Sequence, residues 1–515
     1  MLISECIDLF VQYLFPIMPI VHEKILRNCM SLFEPNLGLN PRAGGQFDIS
    51  VHRCFALITA VCAEAAFVLS SRIFRKGSLV APHFLQASRQ TLNLYQDRDI
   101  ENPDSSSLVI RYLHSNCTHA AGQTRISWHV LGESIRLAQE MHLYDEQVLG
   151  NLNPIESQLQ RNIFWQLYTG DKSAALLNDR PFSLHEFNIR KKITLSNKSS
   201  VGHSLLDSSR SQHSGLFESR LMAGFHLCQR LWSVASDLLL DLHLLYPRST
   251  PLDSVVCPSE EQRSQIMDVY LQFLGIIDDM PSWLLELDRL QGMTTEDEAY
   301  QRSAFWVQRT NLEVTFQSLS LIIIQKFFDL NLSALVGISP EPIMMALKKT
   351  DIAREMLLTI TKAPFESLQI NGECCVGFPD FFCILFCLVS FASRLSNNKF
   401  VAVWWTNRHI PLSRSSRKSR LTFRFSQSLD RCSASNLPKI LYLLFQPISI
   451  VNLAKSAWLT THQVEKIRQI GAALLEITQN TSNQQLSTRA QSTFSALLDI
   501  LASLDSQASN SLYQP

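Results

Sequence analysis

Asp171 is a carboxylate on an otherwise apolar helix face, and its position raises the first chemical question. On a helical wheel that starts at Leu159, Asp171 falls inside the apolar stripe. Such a carboxylate could be a catalytic acid or base, but acid–base catalysis normally needs a second carboxylate or a histidine, and none lies at a useful spacing. We therefore favour a buried ion pair with Arg180, the nearest cation that can fold back once the helix ends.

The candidate metal ligands do not form a recognisable zinc motif. In "HSNCTH" (114–119), His114 and Cys117 share a helix face while His119 points elsewhere, so ordinary packing is favoured over a metal site. Four clustered cysteines contain no recurring C-x2-C pair: Cys374, Cys375, Cys383 and Cys387. Glycine-rich phosphate loops, the nucleophile elbow and H-E-x-x-H are also absent from the sequence. We expect neither an enzyme nor a structural zinc site in this chain.

The charge of the chain is balanced, with 46 Lys and Arg residues against 46 Asp and Glu residues. No global basic field is available to hold nucleic acid. The basic run 408–425 could be a nuclear-import or nucleic-acid patch, but we favour a disordered insert. The longest apolar run, 381–393, is too short to span a bilayer. The start of the sequence carries Glu5 and Asp8 and no basic n-region, so we do not expect a signal peptide. We expect a cytosolic or nuclear protein with mostly reduced cysteines and no membrane partner.

Apolar residues recur at helical spacing along most of the chain, and few segments alternate as a strand would. The nearly all-apolar stretch 55–74 is predicted to be a central helix. The fold prediction is all-α, a large multi-helix bundle with a flexible Ser-rich loop near 192–218 and a disordered polar tail at 479–515.

The helix that carries Asp171 has recognisable ends. At its start, Asn153 can cap, Pro154 fits the first helical position and Glu156 completes a capping-box-like pattern. At its other end, Pro181 disfavours helical geometry in the residue before it.

Two adjoining stretches, "SWHVLGESIRLAQEMHLYDE" (127–146) and "QRNIFWQLYTGDKSAALLNDRPFSL" (160–184), resemble the signature of the fungal-specific transcription factor domain, the middle homology region of fungal zinc-cluster regulators. The matching residues are Arg136, Leu137, Ala138, Arg161, Trp165, Asp171, Arg180 and Pro181. Weaker likeness covers residues 5–370 and returns at 464–478. His142 departs from the family pattern, which usually has Gly there, and Asn178–Asp179 replaces the common Leu–Gly.

Residues 377–463 differ in character from both flanks. Asp380 and Asp430 are the only acidic residues there among many basic ones, and the apolar runs lack helical period. When the stretch is removed, "NGECCV" (371–376) and residues 464–480 join into one continuous turn and helix. We predict that the stretch derives from an unspliced intron; a genuine insertion is the alternative. The regulatory domain would then comprise residues 1–376 and a returning helix at 464–478.

The resemblance implies the regulatory domain of a fungal RNA polymerase II transcription factor that acts in the nucleus. In that family DNA is contacted by an N-terminal zinc cluster with six cysteines, which this chain lacks, so we expect no cofactor here and DNA contact only through a missing or partner module. The implied partners are the transcription machinery or co-regulators, with a homodimer and a small-molecule effector as further expectations. The alternative is a helical scaffold or co-regulator that works through protein partners without DNA targeting.

Overall fold

The computed structural model of the chain describes residues 2–30, 48–178, 180–184, 203–245, 258–288, 295–372, 470–478 and 484–503. These residues all lie in one of the two units into which the chain divides, the one formed by Met1–Val376 and Thr460–Pro515. The predicted insert 377–463 therefore lies outside the described residues, and its origin stays a prediction.

The described residues are helical and contain no strand, which confirms the all-α prediction. In chain order the α-helices are α1 (Leu2–Leu9), α2 (Glu23–Asn28), α3 (Ile49–Val68), α4 (Gly77–Glu101), α5 (Ser105–Ala120), α6 (Thr124–Glu140), α7 (Glu146–Leu149), α8 (Pro154–Asn178), α9 (Gly215–Leu244), α10 (Glu260–Asp278), α11 (Ser282–Leu285), α12 (Glu296–Asp329), α13 (Pro342–Lys362), α14 (Phe365–Gly372), α15 (470–478) and α16 (Gln484–Ser503). A π-helical turn, Phe10–Leu14, follows α1 directly.

Helix α3 is central, as the composition of 55–74 predicts, because every residue from Ala56 to Ala66 is buried. The prediction of its end was wrong, because the helix ends at Val68 rather than at 74. By length and composition it is also the one described helix that could span a membrane, and 56% of its most apolar window is buried inside the fold. Its core includes Glu64, which accepts a 3.0 Å hydrogen bond from Asn116 Nδ2. Burial raises the pKa of Glu64 to about 7.

The proline-rich segment "FPIMPIV" (15–21) leaves the helical path, as its prolines require, and side-chain amides bind its carbonyl groups. Asn162 Nδ2 of α8 donates to Pro19 O at 2.7 Å. Gln308 Nε2 of α12 donates to Pro16 O at 2.6 Å and to a carbonyl of α9 at 2.7 Å. A Cβ atom at Gly224 of α9 would overlap the Gln308 amide, so any other residue there would displace this amide from its hydrogen-bonded position.

An ionic cluster joins α3, α4 and α5 around the buried carboxylate of Asp99. Arg53 Nη2 lies 2.8 Å from Asp99 Oδ1, and Arg111 Nη1 lies 2.6 Å from Oδ2. Ser107 Oγ donates a further hydrogen bond of 2.7 Å. Since each oxygen has charged donors, the carboxylate is tolerated inside the bundle.

The start of α8 agrees with its sequence signals only in part. Asn153 is the N-cap, because its Oδ1 accepts from Ile155 N at 2.9 Å. Glu156 does not complete a capping box; it accepts from Ser105 N and Ser105 Oγ, both at 2.7 Å. The carboxylate thus caps the first turn of α5, a long-range partner that local spacing cannot reveal.

The flexible loop expected near 192–218 is only partly tested, because residues 192–202 lie outside the described residues, and its described part is not a flexible loop. Residues 203–214 follow a fixed path, and α9 begins at Gly215. Glu218 accepts hydrogen bonds from Leu205 N at 2.7 Å and Leu206 N at 3.3 Å. Polar composition misled the prediction because buried carboxylates, rather than apolar contacts alone, hold this backbone in place.

A second carboxylate, Glu23 of α2, holds the same loop. It is buried and accepts from Asp207 N at 2.8 Å and Arg27 Nη2 at 2.6 Å, and its Oε2 lies 3.1 Å from His213 Nδ1. Although burial opposes ionisation, these hydrogen bonds lower the pKa of Glu23 to about 2. The Tyr300 hydroxyl of α12 lies 3.2 Å from the other ring nitrogen of His213, so the cluster joins three elements: α2, the loop 203–214 and α12.

The described part of the returning helix, α15, packs with the rest of the unit. Ile470, Leu474 and Ile477 are buried, as their spacing predicts. Lys349 of α13 forms a 2.8 Å ion pair with Glu476. Within the segment predicted to be a disordered tail, α16 is helical, because its buried apolar face gives it a packing surface.

Helix α6 ends in a Schellman motif with an unusual residue at its left-handed position. His142 has φ 54°, its N–H donates to Gln139 O at 3.0 Å, and Leu143 N donates to Ala138 O at 3.1 Å. Two other helices end in the same motif with Gly122 and Asn331, the residue types that tolerate this conformation. The departure from the family glycine thus falls on a position that requires positive φ.

We expect His142→Val to lower the free energy of unfolding by about 1–2 kcal/mol, because a β-branched side chain is strained at positive φ. His142→Gly should leave it unchanged or raise it by up to about 1 kcal/mol, since relief of strain offsets the lost hydrogen bond to Tyr144 Oη. Urea denaturation of the three proteins measures both values. Tyr144→Phe isolates the hydrogen bond, and equal stability of the Val and Gly variants would contradict the strained conformation.

Candidate functional site

The signature residues lie on α6, on α8 and on residues 180–184, which we call the anchored segment. Asp171 and Lys172 come from the last two turns of α8 and are both completely buried. Trp128 and Gln139 come from the neighbouring helix α6. The site is therefore built by two packed helices and the chain that leaves one of them.

Asp171 is a backbone acceptor rather than the partner of Arg180. Ser183 N donates to both of its carboxylate oxygens at 3.0 Å, and Leu184 N donates to Oδ2 at 2.9 Å. The predicted Asp171–Arg180 ion pair is wrong, because the anchored segment approaches the carboxylate with its backbone. Burial raises the pKa of Asp171, an effect that these hydrogen bonds partly oppose.

Sequence reasoning missed Lys172, which also binds the anchored segment. Its Nζ donates to Leu184 O at 2.5 Å and lies 3.9 Å from Asp171 Oδ2. The ammonium also lies 4.7 Å from the ring centroids of Tyr168 and Phe182. Burial lowers the pKa of Lys172 to about 8. The two neighbouring residues thus bind the same peptide segment, one through its N–H groups and the other through a carbonyl.

Helix α6 also binds the anchored segment. Gln139 Nε2 donates to Ser183 O at 3.2 Å. The exposed Arg180 places its guanidinium 5.7 Å from the centroid of the Trp128 ring, and its backbone N–H donates to Ala174 O at 3.3 Å. Pro181 is exposed beside it, just after the end of α8. Arg180 and Pro181 therefore set the exit path of the chain.

The remaining signature residues lie away from this anchor. Arg161 is separated from Asp171 by ten residues of helix, about 15 Å, and it pairs with Glu146 of α7 and with Ser157. Trp165 packs edge-to-face against Tyr168 at 5.4 Å between ring centroids. Ala138 is buried in α6, whereas Arg136 is exposed on it. These four residues organise the helices and do not join a common chemical centre.

The contacts of Asp171 and Lys172 hold the backbone of the anchored segment and leave no group free for catalysis. Both oxygens of Asp171 are occupied by N–H groups in a site closed to solvent, so neither is available for proton transfer to a substrate. Two of the three candidate ligands in "HSNCTH" have separate partners, since His114 contacts Ser88 and Cys117 contacts Glu64. Across the described residues, no three His, Cys, Asp or Glu side chains are grouped so that they could hold a metal ion.

One cleft of about 200 Å³ lies elsewhere, between α10, α12 and α13. Its lining mixes apolar residues such as Phe316 with charged ones, among them Arg309 and Glu313, which pair with each other at 2.9 Å. The volume is below the usual range for small-molecule sites, about 300–1,000 Å³. The cleft therefore carries no ligand assignment.

Comparison with protein families gives a match for the first half of the chain. Residues 7–252 match the family model of the fungal specific transcription factor domain. The match spans α2 to α9 and so contains the anchored segment and every signature residue. No curated protein matches the chain.

We expect Asp171→Ala to lower the free energy of unfolding by about 2–4 kcal/mol, because it leaves the N–H groups of Ser183 and Leu184 without their acceptor. Thermal or urea denaturation measures the loss. Arg180→Ala is the matched control and should stay within about 1 kcal/mol of wild type, since only an exposed contact with Trp128 is removed. Equal losses of unfolding free energy in the two variants would contradict this geometry and indicate that Asp171 and Arg180 form an ion pair.

Lys172 gives the site a pH dependence whose sign follows from its pKa. Between pH 8 and its ordinary pKa of 10.5, the unfolded chain holds a proton that the folded chain has released. The stability of wild type relative to Lys172→Met should therefore rise across this interval, by up to about 3 kcal/mol.

Denaturation at a series of pH values measures this difference. Lys348→Met, at an exposed lysine of α13, is the control for the loss of one positive charge. A difference for Lys172→Met that does not change with pH would mean that the buried ammonium is not desolvated as described.

Proposed function

Because residues 7–252 of this chain belong to the fungal specific transcription factor domain family, we propose that the chain is the regulatory domain of a fungal RNA polymerase II transcription factor. The family consists of transcription regulators and not of enzymes, and the occupied state of the Asp171 carboxylate supports a non-catalytic role. The proposal places the chain in the nucleus, where it acts on the transcription machinery or on co-regulators.

DNA contact is assigned to a zinc cluster outside these 515 residues or to a partner protein. The balanced charge of the chain supports this division, because specific and non-specific DNA binding both draw on clustered positive charge. The proposal includes no zinc or other cofactor bound by the chain itself. A homodimer and a small-molecule effector remain parts of the proposal that no described contact identifies.

The mechanism that we propose is a two-state helical body. The anchored segment and the loop 203–214 are held by buried carboxylates, so releasing either one would expose backbone and apolar surface together. An effector or partner that binds one state better shifts the population toward it and so hides or presents a surface for co-regulators.

A reporter assay in which the chain is tethered to DNA tests the proposal. The full chain fused to a heterologous DNA-binding domain should raise or lower a reporter with intermediate basal activity, relative to that DNA-binding domain alone. The Asp171→Ala fusion should lose the effect as its fold is destabilised, and the Arg180→Ala fusion should retain it. A folded fusion that occupies its site on the DNA without changing the reporter would contradict a regulatory role.

The alternative function is a helical scaffold or co-regulator that reaches chromatin only through a partner. It also predicts a response in the tethered assay, so a second observation is needed. The genomic reading frame upstream of Met1 separates the two: a six-cysteine pattern there favours the transcription factor. Recovery of the untethered chain on chromatin through a DNA-binding partner, without such a pattern, favours the co-regulator.

A further inference from the structure

Glu64 differs from the other buried carboxylates because its hydrogen-bond donors are neutral side chains. Asp99 lies between two arginines, and Glu23 contacts an arginine and a histidine. Glu64 is 2% exposed and accepts hydrogen bonds from Asn116 Nδ2 at 3.0 Å and from Cys117 Sγ at 3.4 Å. Within the described part of the chain, no cation forms an ion pair with it. A negative charge on this carboxylate therefore lies uncompensated in the central helix.

The titratable groups of α5 near Glu64 do not change charge around neutral pH. Burial raises the pKa of Tyr112 to about 12. Burial also lowers the pKa of His114 to about 3 and that of His119 to about 4, so both imidazoles are neutral. Helix α5 thus brings polar groups to the carboxylate but no positive charge.

The other elements that pack on α3 add no compensating charge among the residues that the structure describes. No charged residue of α4, including Arg89, contributes to the pKa of Glu64. Asp8 of α1 pairs with arginines near the surface, and burial raises the pKa of Tyr13 in the π-helical turn, which keeps it neutral. The segment 15–21 contains no titratable residue. Burial, opposed only by two neutral donors, raises the pKa of Glu64 to about 7.

The amide that binds Glu64 also contacts the proline-rich segment 15–21. Asn116 Nδ2 donates to the carboxylate and lies 3.9 Å from Met18 Sδ of the segment. Met18 is itself buried, and its N–H donates to Leu14 O at 2.9 Å. A change of charge on Glu64 therefore acts first on the place where the segment packs against α5.

The three helices around Glu64 are joined by hydrogen bonds that do not involve its carboxylate. Ser88 Oγ of α4 donates to Ala56 O of α3 at 2.6 Å, and it lies 2.7 Å from His114 Nε2 of α5. These contacts tie α3, α4 and α5 together about two turns before Glu64. The segment 15–21 is the covering element that moves without breaking them.

We propose that Glu64 is a proton-binding switch, in which the protonated carboxyl keeps the segment 15–21 packed on α5 and loss of the proton loosens this segment. The step is an acid dissociation: the carboxyl O–H bond breaks and the proton passes to water. The segment yields because an uncompensated carboxylate draws water toward itself. Proton binding belongs to the purified chain, so the proposal does not depend on the proposed function.

The pH dependence of stability tests proton binding. Between pH 4.5, the ordinary pKa of this group, and pH 7, the folded chain holds a proton that the unfolded chain has released. The stability of wild type relative to Glu64→Gln should therefore fall as the pH rises through this interval. The ratio of their unfolding equilibrium constants should rise by up to about 300-fold.

Urea denaturation at a series of pH values measures this ratio, and circular dichroism verifies that each variant is folded. Glu140→Gln, at an exposed position of α6, is the control for the loss of one negative charge. A ratio for Glu64→Gln that does not change with pH would overturn proton binding by Glu64.

Hydrogen exchange measured by mass spectrometry tests the loosening. At pH 8, a peptide that covers residues 10–26 should exchange severalfold faster in wild type than in Glu64→Gln, whereas at pH 5.5 the two should agree. Comparison at the same pH removes the intrinsic pH dependence of exchange. Equal exchange of the two proteins at pH 8 would contradict the loosening.

The wild-type chain alone provides a readout that does not require the variant to fold. After correction for intrinsic rates, exchange in residues 10–26 relative to α10 should rise severalfold from pH 5.5 to pH 8. Helix α10 is a suitable reference because it lies outside the contacts of Glu64. A constant ratio of the two exchange rates would overturn the proposal.

Discussion

Buried backbone N–H groups must find acceptors, and in an all-α chain the connecting segments have no sheet partner to supply them. Here, buried carboxylates on the helices do so: Asp171 binds Ser183 N and Leu184 N, Glu218 binds Leu205 N and Leu206 N, and Glu23 binds Asp207 N. Each carboxylate is stable in the interior because N–H dipoles or cations surround it. The path of the chain between the helices depends on these contacts.

The contacts of Asp171, Lys172, Glu218 and Glu23 lie on both sides of residues 185–202. Asp171 and Lys172 fix the point at which the chain enters residues 185–202, and Glu218 with Glu23 fixes the point at which it leaves them. Both points lie inside the part of the chain that matches the transcription factor family. A regulatory event that weakens one anchor therefore acts on a stretch whose ends are otherwise held to the helical core.

Periodicity predicted the helices, and local signals predicted the cap at Asn153 and the end of α8 before Pro181, because these depend on neighbouring residues. The partner of Asp171 could not be predicted, since a sequence shows which side chains are charged but not which backbone N–H groups approach them. Lys172 was missed because it lies outside the apolar stripe of its helix.

The amides that hold the proline-rich segment have a consequence for biosynthesis. The hydrogen-bond donor to Pro19 O is Asn162, which is translated 143 residues later, and one donor to Pro16 O is Gln308, which is translated 292 residues later. The proline-rich segment therefore cannot complete its polar contacts until α8 and α12 have both been translated. At ordinary rates of about 5–20 residues per second, its carbonyl groups are without the more distant partner for many seconds, an interval in which the apolar segment can meet a chaperone.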